Sequence, residues 1–128
     1  ARYAGKRVIA LGRSLGTGLA AVWAARHQPD LTILVSPYTS MQQLAALHYP
    51  WVPSAVVRYP LRSDEAVTRL HKPLLLVHGD QDALIPVAHS RQLAADAEQA
   101  RLVVIRGAAH ADVHRFDEYR AAIAKALR

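Results

Sequence analysis

The chain has 128 residues, of which 52% are hydrophobic and 20% charged, a balance typical of one globular domain. It contains no cysteine, which excludes disulfides and a thiol nucleophile. The net charge is +6, but the basic residues are scattered from Arg2 to Arg128 without a basic run, so we expect no nucleic-acid partner. No apolar run of about 18 residues occurs, and the sequence predicts no transmembrane segment. It leaves the compartment undecided, with the cytoplasm slightly favoured.

The first half of the chain predicts two buried strands separated by a helix. Continuous apolar runs predict strands at Arg7–Leu11 and Leu31–Ser36. An alanine-rich helix is expected between them, over Leu15–His27, because a Pro-Asp pair follows it. The proline-rich stretch after the second strand predicts a short helix at Met41–Leu47 and then a loop.

The second half repeats this alternation of strands and helices. Ser63 is expected to be the N-cap of a short helix. Strands are predicted at Leu74–His78 and Arg101–Ile105, with a helix at about Val87–Ala97 between them. The last segment, Arg115–Leu127, predicts an amphipathic helix. Its apolar face consists of Phe116, Tyr119, Ile123 and Leu127.

Four alternations of strand and helix indicate an α/β fold. We expect about four parallel strands in one sheet, with helices on both faces. Nothing in the composition marks a second domain or an internal repeat. Because ligands bind at the carboxyl ends of the strands in such sheets, the residues that follow each strand are the candidates for function.

Three of the predicted strands are followed by residues that can carry catalysis. The stretches G-R-S-L-G, H-G-D-Q-D and G-A-A-H place Ser14, Asp82 and His110 after the first, third and fourth strands. A serine hydroxyl is a weak nucleophile until a base removes its proton, and histidine can do so near neutral pH. A carboxylate can orient the imidazole and stabilise its charged form. The sequence therefore predicts a Ser-His-Asp triad.

The residues alone leave alternatives open. Asp80 competes with Asp82 as the acid, and His114 competes with His110 as the base. Ser14 and Asp82 could each act only as caps of the helices that follow them. His78 is expected to support its loop through ring hydrogen bonds rather than to take part in catalysis.

Gly12 and Gly16 flank the candidate nucleophile at a sharp turn from strand to helix. Such a turn strains the serine backbone, and we expect side chains at both glycine positions to collide with their neighbours. The same turn places Ser14 at the N-terminus of a helix, where backbone N–H groups can bind an oxyanion.

Together these three stretches resemble the motifs of the α/β-hydrolase superfamily. G-R-S-L-G-T-G resembles its nucleophile elbow, and H-G-D-Q-D-A-L-I-P resembles its H-G-x-x-D-x-x-V/I-P segment, which contains the triad acid. G-A-A-H resembles its terminal G-x-x-H, which contains the base. The chain looks most similar to cap-poor serine hydrolases. The resemblance implies that the N–H of Leu15, the residue after the nucleophile, donates to the oxyanion.

The resemblance extends only to the carboxyl-terminal half of the family's fold. It implies that residues 1–128 are a single domain lacking the amino-terminal strands, together with the loop that supplies the second oxyanion N–H. One edge of the elbow strand would then have no partner strand. Because unpaired apolar edges promote association, self-association through this edge is a further expectation.

The aromatic residues after the second strand and the remaining histidines have open roles. Tyr38, expected as a substrate-binding residue, could line an acyl pocket with Tyr49 and Trp51, or all three could pack on the sheet. We expect no metal and no cofactor, since the other histidines lack the spacing of metal ligands. These are His27, His48, His71 and His89.

The resemblance and the three motifs favour a serine hydrolase that cleaves small carboxylic esters or thioesters through an acyl-enzyme. A serine peptidase of the same fold is one alternative. The other is a catalytically silent fragment or interaction module that keeps half of the fold.

Overall fold

A four-stranded parallel sheet forms the centre of the chain. The structure, a computed structural model, describes residues 5–48, 51 and 60–128. In this part, the strands lie in the order β1-β2-β3-β4. They are β1 (Ile9–Arg13), β2 (Leu31–Val35), β3 (Leu74–Gly79) and β4 (Ala100–Ile105). All three neighbouring pairs are parallel, which confirms the predicted sheet.

Helices cover both faces of the sheet, so the predicted α/β fold class is also confirmed. The helices are α1 (Gly16–His27), α2 (Met41–His48), α3 (Ser63–Ala66), α4 (Ala88–Asp96) and α5 (Asp117–Leu127). Helices α1, α3 and α4 contribute to one hydrophobic cluster, and α5 packs against the other. Among the described residues, 3₁₀ turns at Val67–Arg69 and Val113–Arg115 also lie between these elements.

Burial on both faces explains the continuous apolar runs in β2 and β3. Every residue of these two strands is buried. Leu34 and Leu76 point into the cluster beneath α1 and α4, whereas Ile33 and Val77 point into the cluster beneath α5. Alternate residues of a strand face opposite sides of the sheet, so both sets of side chains are buried and most of them are apolar.

Three details of the predicted elements were wrong. Strand β1 begins two residues later than expected and extends to Arg13, because its pairing with β2 continues to the pair Arg13 and Val35. Ser63 is not an N-cap: it is the first residue of α3, and its buried hydroxyl lacks a hydrogen-bond partner in the described part. Leu127 is exposed, whereas Phe116, Tyr119 and Ile123 pack against the core as predicted.

Candidate active site

Ser14 lies in a strained turn between β1 and α1. Its φ angle is 55°, in the left-handed region that non-glycine residues rarely adopt. The Ser14 N–H donates to the Val35 carbonyl at 2.9 Å, which ties the turn to β2. A Cβ on Gly12 would lie 2.7 Å from the Ala20 Cβ and 2.8 Å from the Gly16 carbonyl oxygen. The predicted collision at Gly12 is therefore confirmed.

The prediction for Gly16 was wrong, and a tight position was missed at Gly18. A Cβ on Gly16 would meet nothing within 4 Å, because this residue begins α1 on its open side. A Cβ on Gly18 would overlap the Tyr38 hydroxyl. Sequence reasoning could not find this contact, since the two residues are far apart in the chain and come together only when α1 packs beside the loop after β2.

The structure brings the three predicted triad side chains into one hydrogen-bonded chain. The Ser14 Oγ lies 2.8 Å from His110 Nε2, and His110 Nδ1 lies 2.8 Å from Asp82 Oδ2. Because a carboxylate only accepts, we assign the imidazole proton to Nδ1, which leaves Nε2 to accept from the serine hydroxyl. The Asp82 side chain is fully buried, and that of His110 is 22% exposed. The arrangement suits transfer of the serine proton to the imidazole.

Backbone N–H groups hold the other carboxylate oxygen of Asp82. Its Oδ1 accepts from Leu84 N at 3.0 Å and from Ile85 N at 2.8 Å. The alternative in which Asp82 caps the next helix does not fit, since these bonds close a local turn and α4 begins only at Ala88. This turn fixes the rotation of the carboxyl group and directs Oδ2 toward His110.

The rival acid and base make other contacts. Asp80 Oδ1 accepts from Gly107 N at 2.8 Å, and His114 Nδ1 lies 3.2 Å from an Arg13 guanidinium nitrogen. Neither residue has a hydrogen bond to Ser14 or His110 in the described part of the chain. The geometry therefore favours Asp82 over Asp80 and His110 over His114.

The acid loop (residues 80–86) and the base loop (residues 106–112) are joined along their backbones. Besides the Asp80 contact, Gln81 N donates to Ala108 O at 2.9 Å. At Gly79, just before the acid loop, a Cβ would overlap the Ala108 carbonyl, so glycine allows the two loops to approach. Asp112 Oδ1 accepts from Ala109 N at 2.7 Å within the base loop. These bonds fix the position of Asp82 relative to His110.

A second serine shares the backbone geometry of Ser14 without its partners. Ser36 follows β2 with a φ angle of 54°, and it occupies the position that corresponds to Ser14, because Arg13 and Val35 before them are paired. Its hydroxyl is buried and lacks a hydrogen-bond partner in the described residues. Backbone strain is therefore not sufficient to mark a nucleophile, and the contact with His110 distinguishes Ser14.

Tyr38 lies behind the elbow rather than beside a substrate. It is fully buried, and its hydroxyl donates to the Leu15 carbonyl at 2.9 Å. Burial raises the pKa of Tyr38, which keeps the hydroxyl protonated as a donor. The expectation of direct substrate contact does not fit this position. Tyr49 lies outside the described residues, and Trp51 is exposed.

Leu15 has the geometry expected of an oxyanion donor. It precedes α1 with helical φ and ψ angles of −60° and −30°. The hydrogen bonds of the described residues include no acceptor for its N–H. Such free N–H groups at a helix N-terminus bind anionic oxygens.

An apolar cavity of about 500 Å³ opens beside Ser14. Helix α2 and the acid loop form most of its wall. Its lining residues are Ser14, Leu15, Met41, Leu44, Ala45, His48, Leu84 and Ile85. The volume falls within the range of roughly 300–1,000 Å³ found for small-molecule sites. The sequence signal for this wall was the spacing of Met41, Leu44 and Ala45 on one face of α2.

The remaining histidines make separate contacts. His48 Nε2 bonds to the Leu84 carbonyl, His89 Nδ1 accepts from Thr39 N at 3.0 Å, and the His27 ring lies 4.5 Å from that of Trp23. Over the described ranges, no three His, Asp or Glu side chains converge as metal ligands. In the same residues, no helix has the length and hydropathy needed to cross a bilayer.

The sequence and fold of the chain resemble those of known proteins. No family model matches the chain. It is 36% identical to a Mycobacterium tuberculosis protein described as uncharacterised, over 87% of this chain and 40% of that protein. It is 27% identical to human alpha/beta hydrolase domain-containing protein 17B, over 89% of this chain and 39% of that protein. The chain thus spans about two fifths of the length of these relatives.

Solved structures show the same fold at low sequence identity. The esterase domain of a Rhodothermus marinus protein matches with a TM-score of 0.71 and 14% identity, over 94% of this chain and 58% of that one. The fold, the chain order of the motifs and the names of the relatives all point to the alpha/beta-hydrolase fold. The chain therefore has the alpha/beta-hydrolase fold and resembles proteins of that superfamily over nearly its whole length.

Proposed function

We propose that the protein is a serine hydrolase that cleaves carboxylic esters or thioesters through an acyl-enzyme. The observation that carries the proposal is the unbroken chain of hydrogen bonds from Ser14 through His110 to Asp82. The hydrolase fold of the comparison structures is consistent with it. The three side chains follow the carboxyl ends of parallel strands, and active sites of such sheets form at these ends.

In the first half of the reaction, Ser14 Oγ attacks the substrate carbonyl carbon while His110 Nε2 takes the hydroxyl proton. The carbonyl oxygen becomes an oxyanion, which the Leu15 N–H stabilises. When the tetrahedral intermediate collapses, the bond to the leaving alcohol or thiol breaks and His110 returns its proton to that group. Asp82 stabilises the imidazolium throughout and keeps its own charge.

In the second half, water replaces the leaving group. His110 removes a proton from water, the hydroxide attacks the acyl-serine, and collapse releases a carboxylic acid and restores the Ser14 hydroxyl. The apolar cavity formed by α2 and the acid loop supports an acyl group as the part of the substrate held by the enzyme.

A catalytically silent interaction module is the second candidate, and one observation favours it. Strand β1 is an edge of the described sheet, and an apolar surface formed by exposed Leu11 of β1 and exposed Leu19 and Trp23 of α1 adjoins it. Exposed patches of this kind mark contact surfaces, and self-association would cover them. Sedimentation over a concentration series should then show association that Leu19→Glu weakens.

Ester turnover by the purified protein separates these candidates and the peptidase alternative. We expect hydrolysis of a p-nitrophenyl ester and a matching thioester, and little turnover of a peptide amide. Ser14→Ala should lower the ester rate by about 10⁴-fold or more. Ser63→Ala is the matched control, since the Ser63 hydroxyl is buried but lacks a hydrogen-bond partner in the described part. Equal rates for wild type and Ser14→Ala, or turnover of peptides alone, would contradict the proposal.

A further inference from the structure

His78 is a buried histidine that the proposed reaction does not use. It lies in β3, directly before the acid loop, and none of its surface is exposed. Its Nδ1 lies 2.6 Å from the Ser90 Oγ on α4, and its Nε2 lies 2.6 Å from the Ile85 carbonyl oxygen. The same Nε2 is 3.5 Å from Asp82 Oδ2, the oxygen that His110 contacts. A second imidazole therefore adjoins the triad carboxylate.

The partners of His78 fix its tautomer. The Ile85 carbonyl can only accept, so Nε2 must carry a proton. Burial lowers the pKa of His78, which favours the neutral ring with a single N–H. Nδ1 is then an acceptor, and the Ser90 hydroxyl donates to it. The Ile85 carbonyl thus selects the tautomer whose N–H points at the acid loop, and Ser90 supports it by donating to Nδ1.

This N–H acts on the turn that orients Asp82. Ile85 is held at both of its backbone groups, because its N–H donates to Asp82 Oδ1 at 2.8 Å and its carbonyl accepts from His78. Fixing Ile85 fixes the turn, and the turn directs Asp82 Oδ2 toward His110. The positive end of the His78 N–H dipole also lies on the side of that carboxylate oxygen.

We propose that His78 is a positioning residue for the triad. In the tautomer that the Ile85 carbonyl fixes and Ser90 supports, its Nε2–H holds the acid loop in place. An apolar side chain at position 78 would leave the Ile85 carbonyl and the Ser90 hydroxyl buried without partners. Asp82 would then sample orientations in which its bond to His110 is broken. The kinetic consequence rests on the proposed function, whereas the tautomer and the loop geometry do not.

Kinetics of four variants test the positioning role. His78→Leu should lower kcat by about tenfold to a hundredfold, since an unsatisfied buried group costs about 1–3 kcal/mol, and KM should change by less than about twofold. His78→Gln should recover much of kcat, because its side-chain amide can donate as Nε2 does. Ser90→Ala should lower kcat by a smaller factor. His71→Gln is the control, since His71 precedes β3 at the opposite end of the sheet.

The results separate positioning from packing. If His78→Leu fails to fold, kcat and KM of Ser90→Ala and His78→Gln still test the positioning role. Ser63→Ala removes another buried hydroxyl, one without a partner in the described part, and should leave kcat unchanged. A rise in KM with unchanged kcat in the His78 and Ser90 variants, or equal losses in Ser90→Ala and Ser63→Ala, would overturn the proposal.

Nitrogen-15 NMR of histidine-labelled protein tests the inference without any activity. In wild type and in Ser14→Ala, the His78 ring should be protonated at Nε2 and unprotonated at Nδ1, and Ser90→Ala should change the Nδ1 signal. A proton on Nδ1 alone would overturn the inference. An inactive protein with the expected His78 tautomer would instead contradict the proposed function and leave the hydrogen bonds of His78 as described.

Discussion

The end of the sheet that holds the candidate active site has an open side and an enclosed side. Ser14 follows β1, the outermost strand at one edge of the described sheet, and its neighbours Leu11 and Leu15 are 62% and 59% exposed. Asp82 follows β3, and His78 is the second-last residue of that strand; both are buried. The candidate acid and the histidine beside it are therefore held by the core, whereas the candidate nucleophile lies beside an apolar surface that is exposed in the described part of the chain.

The hydrogen bonds of the two sides differ in the same way. On the enclosed side, Asp80 and Gln81 form hydrogen bonds with the backbone of the base loop, and Asp82 accepts from the backbone of its own acid loop. The elbow is held by the bond from Ser14 N to Val35 and by the Tyr38 hydroxyl. An apolar groove of about 540 Å³ lies along α1 on the open side. The acid loop is thus held by contacts within the described chain, whereas the open side has an exposed apolar surface of the kind that marks contact sites.

The largest expected effect lies on the enclosed side, at two carboxylates two residues apart. Asp82→Asn would present an amide to His110 and favour the wrong tautomer, so kcat for ester hydrolysis should fall by about 10⁴-fold. Asp80→Asn keeps an acceptor oxygen for Gly107 N and should lower kcat by less than about tenfold. Comparable losses in the two variants would show that the acid has been assigned to the wrong residue.

Truncating one leucine on each side compares how much the enclosed side and the open side contribute to the free energy of unfolding. Leu76 is fully buried in β3, and Leu19 is 65% exposed on α1. Leu76→Ala should lower the free energy of unfolding by about 2–5 kcal/mol, because it leaves a cavity in the core. Leu19→Ala should change it by less than about 0.5 kcal/mol. Urea titration measures both, and a similar loss at Leu19 would mean that the open side is covered.

Two glycines at the elbow should respond differently to the same substitution. Gly12→Ala forces a Cβ against Ala20 and the Gly16 carbonyl, and should lower the free energy of unfolding by about 1–3 kcal/mol. Gly16→Ala meets open space and should be neutral within about 0.5 kcal/mol. Denaturant unfolding of the two variants checks this, and equal effects would place the tight contact elsewhere.

The smallest expected effect is a dependence of stability on pH from the enclosed side. Burial lowers the pKa of both His78 and His89 below the ordinary value of 6.5. Below that value the unfolded chain binds more protons than the folded one, so these groups destabilise the fold as the pH falls; above it they contribute nothing. The free energy of unfolding should therefore decline below about pH 6.5. His89→Asn should make that decline shallower, and an unchanged slope would count against a partly buried His89 that is neutral in the folded chain.

The sequence predicted features that depend on chain-local pattern. Continuous apolar runs located the strands, and the rule that sites form after strands brought Ser14, Asp82 and His110 together although Ser14 and His110 are 96 residues apart. It missed features set by side-chain packing between distant segments. Tyr38 behind the elbow, the gap beside Gly16 and the partner of His78 each depend on how two helices or loops approach, which no local pattern records.

Covalent labelling tests the central claim most directly. An alkyl fluorophosphonate reacts with a serine only when a base activates the hydroxyl. We expect one adduct per chain, mapped by mass spectrometry of peptides to Ser14, absent in Ser14→Ala and formed much more slowly in His110→Ala. An adduct on another serine such as Ser36, or a labelling rate unaffected by His110→Ala, would contradict the assignment of Ser14 as the activated nucleophile.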